Sequence, residues 1–163
     1  MSRIISIYVD GSAPINRASE TNPAGWGFVV VEDAGINHEG GTKLFENKGK
    51  VITDNTEENY IGADVGSNNT GELSAIWWAT RWSMINLEPT DIITIYGDSE
   101  YAGNMATGNW KPKQNKELVR SVRNLWQEAL LTQLNISWAH VRAHQGFHWN
   151  EVADALANEG ART

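Results

Sequence analysis

Short apolar runs rich in β-branched residues alternate along the chain with stretches where apolar residues return every three or four positions, so it reads as strands interleaved with helices. Ile4 to Asp10 (IISIYVD) is the first such run, and Asp10-Gly11-Ser12 ends it as a turn does. Residues 11–25 are small and polar with two prolines and predict a loop. Trp26 to Val31 predicts a second strand, with Lys43 to Phe45 and Lys50 to Thr53 completing an antiparallel meander. Asp54 to Asn69 is polar and rich in Gly and Asn, the composition of a surface loop. A helix then starts near Asn69, with Leu73, Ile76, Trp77 and Met84 near one face and Pro89 at its exit. Ile92 to Tyr96 predicts a buried strand and Glu100 to Thr107 a short helix closed by Gly108-Asn109. Trp110-Lys111-Pro112 makes a turn. From Asn115 to Leu131, the residues Leu118, Val122, Leu125, Trp126 and Ala129 draw a helical apolar stripe. Ile136 to Val141 predicts a fifth strand, and Asn150 opens a last helix through Val152, Ala153, Leu156 and Ala157. The order β-β-β-α-β-α-α-β-α predicts an α/β fold, a five-stranded mixed sheet flanked by helices.

Composition narrows the function. The 163 residues suit a single domain spanning 1–163. Thirteen Lys and Arg against 20 Asp and Glu give a net charge of −7, which excludes a polycationic nucleic-acid binder. The absence of Cys excludes disulfides, thiolate zinc sites and cysteine catalysis. No apolar run approaches the roughly 18 residues of a membrane span, and Met1-Ser2-Arg3 leads directly into a strand. A soluble cytoplasmic protein with no membrane partner is expected, and nothing demands a dimer, so a monomer is expected.

Four acids fall where secondary structure changes. Asp10 and Asp98 each end a buried strand, and Glu72 and Asp154 each lie in the predicted first turn of a helix. Sites in open α/β sheets gather at strand ends. Two such charges about 5 Å apart repel by about 3 kcal/mol at an effective dielectric of about 20, so without a cation one of them should bind a proton. Oxygen-only donors suit Mg²⁺ or Mn²⁺ rather than zinc. Each acid also has a structural reading. Asn69-Thr70-Gly71-Glu72 fits a capping box with Asn69 as cap, Asp98 can cap the next helix, Asp154 can offset a helix dipole, and Asp10 can be a turn residue.

The combination resembles a known family. Tyr8-Val9-Asp10-Gly11-Ser12, Asn68-Asn69-Thr70-Gly71-Glu72-Leu73, Tyr96-Gly97-Asp98-Ser99, and His144 followed ten residues later by Asp154 within Asn150-Glu151-Val152-Ala153-Asp154 are similar, in order and spacing, to ribonuclease H of type 1. The resemblance covers almost the whole chain and implies a ribonuclease H-like fold. It implies an endonuclease that hydrolyses the RNA strand of RNA–DNA hybrids, leaving 5′-phosphate and 3′-hydroxyl ends. Asp10, Glu72, Asp98 and Asp154 match its metal-binding acids, which hold two divalent ions, Mg²⁺ with Mn²⁺ as an alternative. One activates the attacking water and the other stabilises the leaving 3′ oxygen. His144 matches a mobile histidine that assists proton movement or release of product and metal. Asn68 and Asn69 match contacts to the hybrid's minor groove, and Ser67 stands where a Thr often holds a DNA phosphate. Gly11 and Ser12 would let backbone approach the RNA sugar. The loop after Ser12 is longer than usual, so Asn16 and Asn22 compete for one substrate contact, with Asn22 preferred.

Several positions depart from the family pattern. Glu100 replaces a common Gln that contacts RNA, Thr70 a frequent Arg, and Phe147 a frequent His. The segment from Gly108 to Lys116 is short and lacks the basic protrusion of many bacterial members. Lys111, Lys113, Lys116, Arg120 and Arg123 form the densest basic region, either a phosphate track or a solvated helix face, with Trp110 placed to stack on a DNA sugar or to pack. Trp77, Trp82, Trp126 and Trp138 are expected in the core or at its edge. Two rival classes remain: a non-catalytic hybrid-binding module, and a related exonuclease or integrase core, whose acid spacing differs.

Overall fold

The first apolar run becomes the middle of a sheet because both of its faces are covered. In a computed structural model, which describes residues 2–15, 19, 21–143 and 145–163, β1 (Ile4–Ser12) lies between β2 (Gly25–Glu32) and β4 (Ile92–Gly97). The strand order is β3-β2-β1-β4-β5, with β3 (Thr42–Lys50) and β5 (Asn135–His140) at the edges. β1 pairs antiparallel to β2, and β2 antiparallel to β3, whereas β1–β4 and β4–β5 are parallel. The expected five-stranded mixed sheet is present.

Alternation along β1 divides the core in two. Ile5, Ile7 and Val9 pack with Leu73 and Ile76 of α1 (Asn68–Asn86), Ala102 and Met105 of α2 (Glu100–Thr107), and Leu118, Val122 and Trp126 of α3 (Lys116–Leu131). Tyr8 points to the other face, where Val29, Val31, Trp149, Ala153 and Leu156 bury α4 (His148–Ala161) against the sheet. Trp126 is buried, and Trp77, Trp82 and Trp138 pack on the first core from its rim. No described helix is long and apolar enough to cross a membrane.

Four local expectations are corrected. The two short segments expected after β2 form one edge strand, β3, whose side chains are almost all exposed, so no hydrophobic alternation marks it. α1 is capped by Ser67, not Asn69. The Ser67 hydroxyl accepts from the Thr70 backbone N–H at 3.1 Å, and Thr70 Oγ1 accepts from the Ser67 N–H at 2.9 Å. Thr70 thereby fills the reciprocal position expected of Glu72. The cap of α2 is Ser99, not Asp98: its side chain accepts from Ala102 N–H. α4 begins at His148, so Asp154 lies in its second turn, away from the orphan N–H groups of the first.

Glycine sets how closely α1 meets the sheet. A Cβ on Gly11 would lie 2.1 Å from Glu72 N, and one on Gly71 would lie 2.5 Å from the Gly25 carbonyl oxygen and 3.0 Å from Gly11 Cα. The neighbours are backbone and cannot rotate aside. Gly71→Ala is therefore expected to cost about 1–3 kcal/mol or more through overpacking. Urea unfolding measures it, and an unchanged midpoint would refute the close-contact argument.

Candidate active site

The glycine contact delivers Glu72 to the end of β1. Asp10 lies near the end of that strand, Asp98 directly follows β4, and Glu72 is the fifth residue of α1. One carboxylate oxygen from each lies within 4.8 Å of the others. Asp10 and Glu72 are buried and Asp98 partly so. Asp154 is exposed and outside this trio, though its charge still acts on Asp10. Three of the four expected acids are thus brought together, with the fourth within electrostatic reach.

Burial pushes the Asp10 carboxyl up to about 7, and the Asp98 and Asp154 charges add to this, while hydrogen bonds with Glu72 and the Gly11 N–H (2.9 Å) oppose it. Glu72 is raised well above the carboxylate range, first by burial and then by the Asp10 charge. Without a cation, burial and mutual repulsion favour one proton shared across the Asp10–Glu72 hydrogen bond. Among the described residues, the charges acting on Asp10 and Glu72 are those of other carboxylates. Three carboxylate oxygens within 4.8 Å of one another fit a hard divalent cation.

The other expected site residues have mixed fates. Gly11 is filled by α1 backbone, so its missing side chain serves packing. Ser12 is buried and its hydroxyl donates to Asn158 Oδ1 on α4. Asn22 is also buried, and its amide donates to the Ile15 carbonyl (3.1 Å) and the Gly66 carbonyl (3.0 Å), which closes the long loop onto the segment before α1. Ser67 caps α1. Asn68 is exposed, with its Oδ1 accepting from Ala13 N–H at 2.8 Å, and Asn69 is exposed beside it. Asn16 and His144 lie outside the described residues. Trp110 is 46% exposed at the α2–α3 junction.

That junction carries two open grooves of about 440 and 310 Å³ that share Lys111. Lys113 and Trp110 line the first, and Lys116 and Arg120 the second. Arg123 lines the second groove as well, and its guanidinium donates to the Met105 carbonyl (2.9 Å) and the Trp110 carbonyl (2.8 Å), which ties down the turn. Glu100 is exposed, 3.9 Å from His140 Nδ1. Sequence reasoning missed His140 and Asn158. His140 ends β5 with Nε2 at 3.2 Å from the Asp98 carbonyl oxygen, and Asn158 sits one turn beyond Asp154. Only the i+4 spacing from Asp154 could have flagged Asn158, and nothing flagged His140.

Comparison with known proteins follows this geometry. The RNase H family model matches residues 2–162. A ribonuclease H of Polynucleobacter asymbioticus is 31% identical over 166 residues, covering 96% of this chain and 88% of its own. Among solved structures, RNase H1 from the halophilic archaeon Halobacterium salinarum NRC-1 superposes with a TM-score of 0.69 at 24% identity, covering 98% of each chain. LC11-RNase H1, from a compost metagenome and solved in complex with an RNA/DNA hybrid, gives 0.68 at 23% identity over 97% of this chain and 96% of its own. At these identities the structures speak for the fold.

The raised carboxyls fix a sign for stability. Asp10 moves from 3.8 to about 7 on folding, so between those values the native state binds more protons than the unfolded one, and stability falls as pH rises. Cation-free protein should therefore be destabilised as pH climbs through about 7, and Asp10→Asn should flatten that decline. Mg²⁺ should raise the melting temperature more at about pH 8 than at about pH 5.5, because it binds the ionised carboxylates. Thermal melts in chelator and in Mg²⁺ test both; an equal Mg²⁺ effect at both pH values would contradict the assignment.

Proposed function

The chain belongs to the ribonuclease H family, and from that premise we propose that it is a metal-dependent endonuclease acting on the RNA strand of RNA–DNA hybrids. It leaves 5′-phosphate and 3′-hydroxyl ends. The observation that carries this reading is the convergence of the Asp10, Glu72 and Asp98 carboxylates, within 4.8 Å of one another, at the ends of two adjacent parallel strands.

In this reading Asp10, Glu72, Asp98 and Asp154 hold two Mg²⁺ ions, with Mn²⁺ as an alternative. When bound, the ions supply Lewis acidity for an in-line displacement at a ribose phosphodiester. The chain's own groups prepare for that. Ion binding would displace to solvent the proton that the Asp10–Glu72 pair holds, which would leave both carboxylates as ligands. Asp154, exposed on α4, completes the set from the open side. His144 takes the proton-moving role that the resemblance implies. Asn68 and Asn69, exposed at the start of α1, reach the minor groove, with Gly11, Ser12 and Ser67 shaping the wall between β1 and α1. The burial of Asn22 supports a part in shaping that wall ahead of a direct contact.

Substrate must approach against a net charge of −7, part of which the bound ions offset. Lys111, Lys113, Lys116 and Arg120 offer the phosphate contacts, and Trp110 a flat face for a DNA sugar. The chain is read as a monomeric cytoplasmic domain spanning 1–163.

A strand-labelled hybrid cleavage assay with a Mg²⁺ titration tests the reading. Internal cuts confined to RNA support it, end-trimming or DNA cutting favours an exonuclease or integrase relative, and intact hybrid favours a binding module. Asp98→Asn should lower the cleavage rate by at least about a thousandfold, roughly 4 kcal/mol of barrier, without loss of fold; full activity would refute the assignment. Hybrid affinity should fall steeply with salt, with a logarithmic slope near −0.9 per phosphate contact, so Lys113→Ala should reduce that slope by about one. A flat salt response would remove the basic junction from the substrate path.

A further inference from the structure

The last hydrogen-bonded pair of the β1–β4 ladder is Tyr8 with Tyr96. Asp10 comes two positions after Tyr8 on the same face of β1, and Asp98 comes two positions after Tyr96, one residue past the end of β4. They lie past the last β1–β4 pair, with Asp10 still paired to Gly27 of β2 and Gly97 to His140 of β5. Contacts behind the two strand ends add to what sets the distance between their carboxylates.

The rings of Tyr8 and Tyr96 stack, with centroids 5.2 Å apart and planes 16° from parallel. His38, in the loop between β2 and β3, closes over this stack. Its Nδ1 lies 2.7 Å from the Tyr8 hydroxyl, and its ring stands edge-on to Tyr96 at 4.7 Å and to Phe147 at 5.3 Å. The His38 carbonyl accepts from the Trp149 N–H at 3.3 Å, and the Trp149 indole donates to the Gly40 carbonyl at 2.8 Å. His38 itself sits in the left-handed region, φ 57°, uncommon outside glycine. This one residue therefore touches the strand bearing Asp10, the strand leading to Asp98, and the first turn of the helix bearing Asp154.

We propose that His38 is a positioning residue for the acidic site: by locking the Tyr8–Tyr96 stack and the start of α4 together, it sets the spacing of the carboxylates that hold a divalent cation. This rests on reading those acids as cation ligands. Burial lowers the basicity of His38, which favours the uncharged imidazole in its 2.7 Å hydrogen bond with the Tyr8 hydroxyl. The same side chain bridges three elements distant in sequence, which a residue filling an ordinary loop does not do. Groups that orient ligands from behind affect metal affinity by about 10–100-fold when removed.

The test reads cation binding directly. Mn²⁺ alone is titrated by calorimetry into wild type and into His38→Ala, at a temperature where melts show both fully folded. His38→Ala is expected to bind Mn²⁺ about tenfold more weakly. The Mg²⁺ needed for half-maximal hybrid cleavage should rise in parallel, while KM for hybrid at saturating Mg²⁺ stays unchanged. His38→Asn, which tolerates the left-handed backbone and keeps an acceptor, should restore most of the affinity. Tyr8→Phe, which keeps the stack but removes the hydroxyl, should fall between and serves where His38→Ala does not fold. Wild-type Mn²⁺ affinity in the folded variants would overturn the role of His38 while leaving the acidic site standing. A wild-type protein that binds no Mn²⁺ would remove the acidic-site reading and this proposal with it.

Discussion

Burying like charges together is the constraint around which this molecule is built. Asp10, Glu72 and Asp98 bring carboxylate oxygens within 4.8 Å of one another, and two of the three are buried. Nothing in hydrophobic packing favours that arrangement. The Asp10 and Glu72 carboxylates are destabilised by the loss of water and by neighbouring charge, and a shared proton relieves only part of the strain. The rest of the fold must hold the acids in place against this cost, and its apolar cores on both sides of β1 do so.

The way the acids are held explains several otherwise unremarkable residues. Gly11 and Gly71 allow α1 to touch the β1 backbone, which brings Glu72 over Asp10. The Ser67–Thr70 cap satisfies the start of α1 without using Glu72, so that carboxyl remains available to the pocket. Ser12 reaches Asn158, and Trp149 reaches Gly40, so α4 is bound to the sheet at both ends while Asp154 stays exposed between them. Packing creates the pocket; a divalent cation is the chemical answer to the charge that packing leaves behind.

A second tension concerns substrate. An acidic protein that acts on a polyanion needs its few cations well placed. Here Lys111, Lys113, Lys116 and Arg120 cluster at the turn between α2 and α3, where Trp110 is exposed. Arg123 lines the same groove as Lys116 and Arg120 while its guanidinium also holds the turn's carbonyls, so it serves geometry as well as surface charge.

Much of the architecture was legible in the residues because the signals were local. The apolar runs of β1, β2, β4 and β5 and the stripe of α3 have the periods of buried strands and an amphipathic helix, and the spacing of four short blocks was specific enough to suggest a family. The failures share a physical cause. β3 is an edge strand paired on one side only, so its exposed residues carry no alternation to read. α1 buries Thr70, Ser74, Thr80 and Ser83 and leaves Trp77, Trp78 and Trp82 at the rim, because the inner face needs close approach while the Thr80 and Ser83 hydroxyls bond back to their own helix. Residue types in order determine where strands and helices arise and which acids end them. Which acids meet, which glycine serves contact rather than flexibility, and that His38 lies behind Asp10 and Asp98 depend on contacts between segments far apart in the chain, which no local pattern encodes.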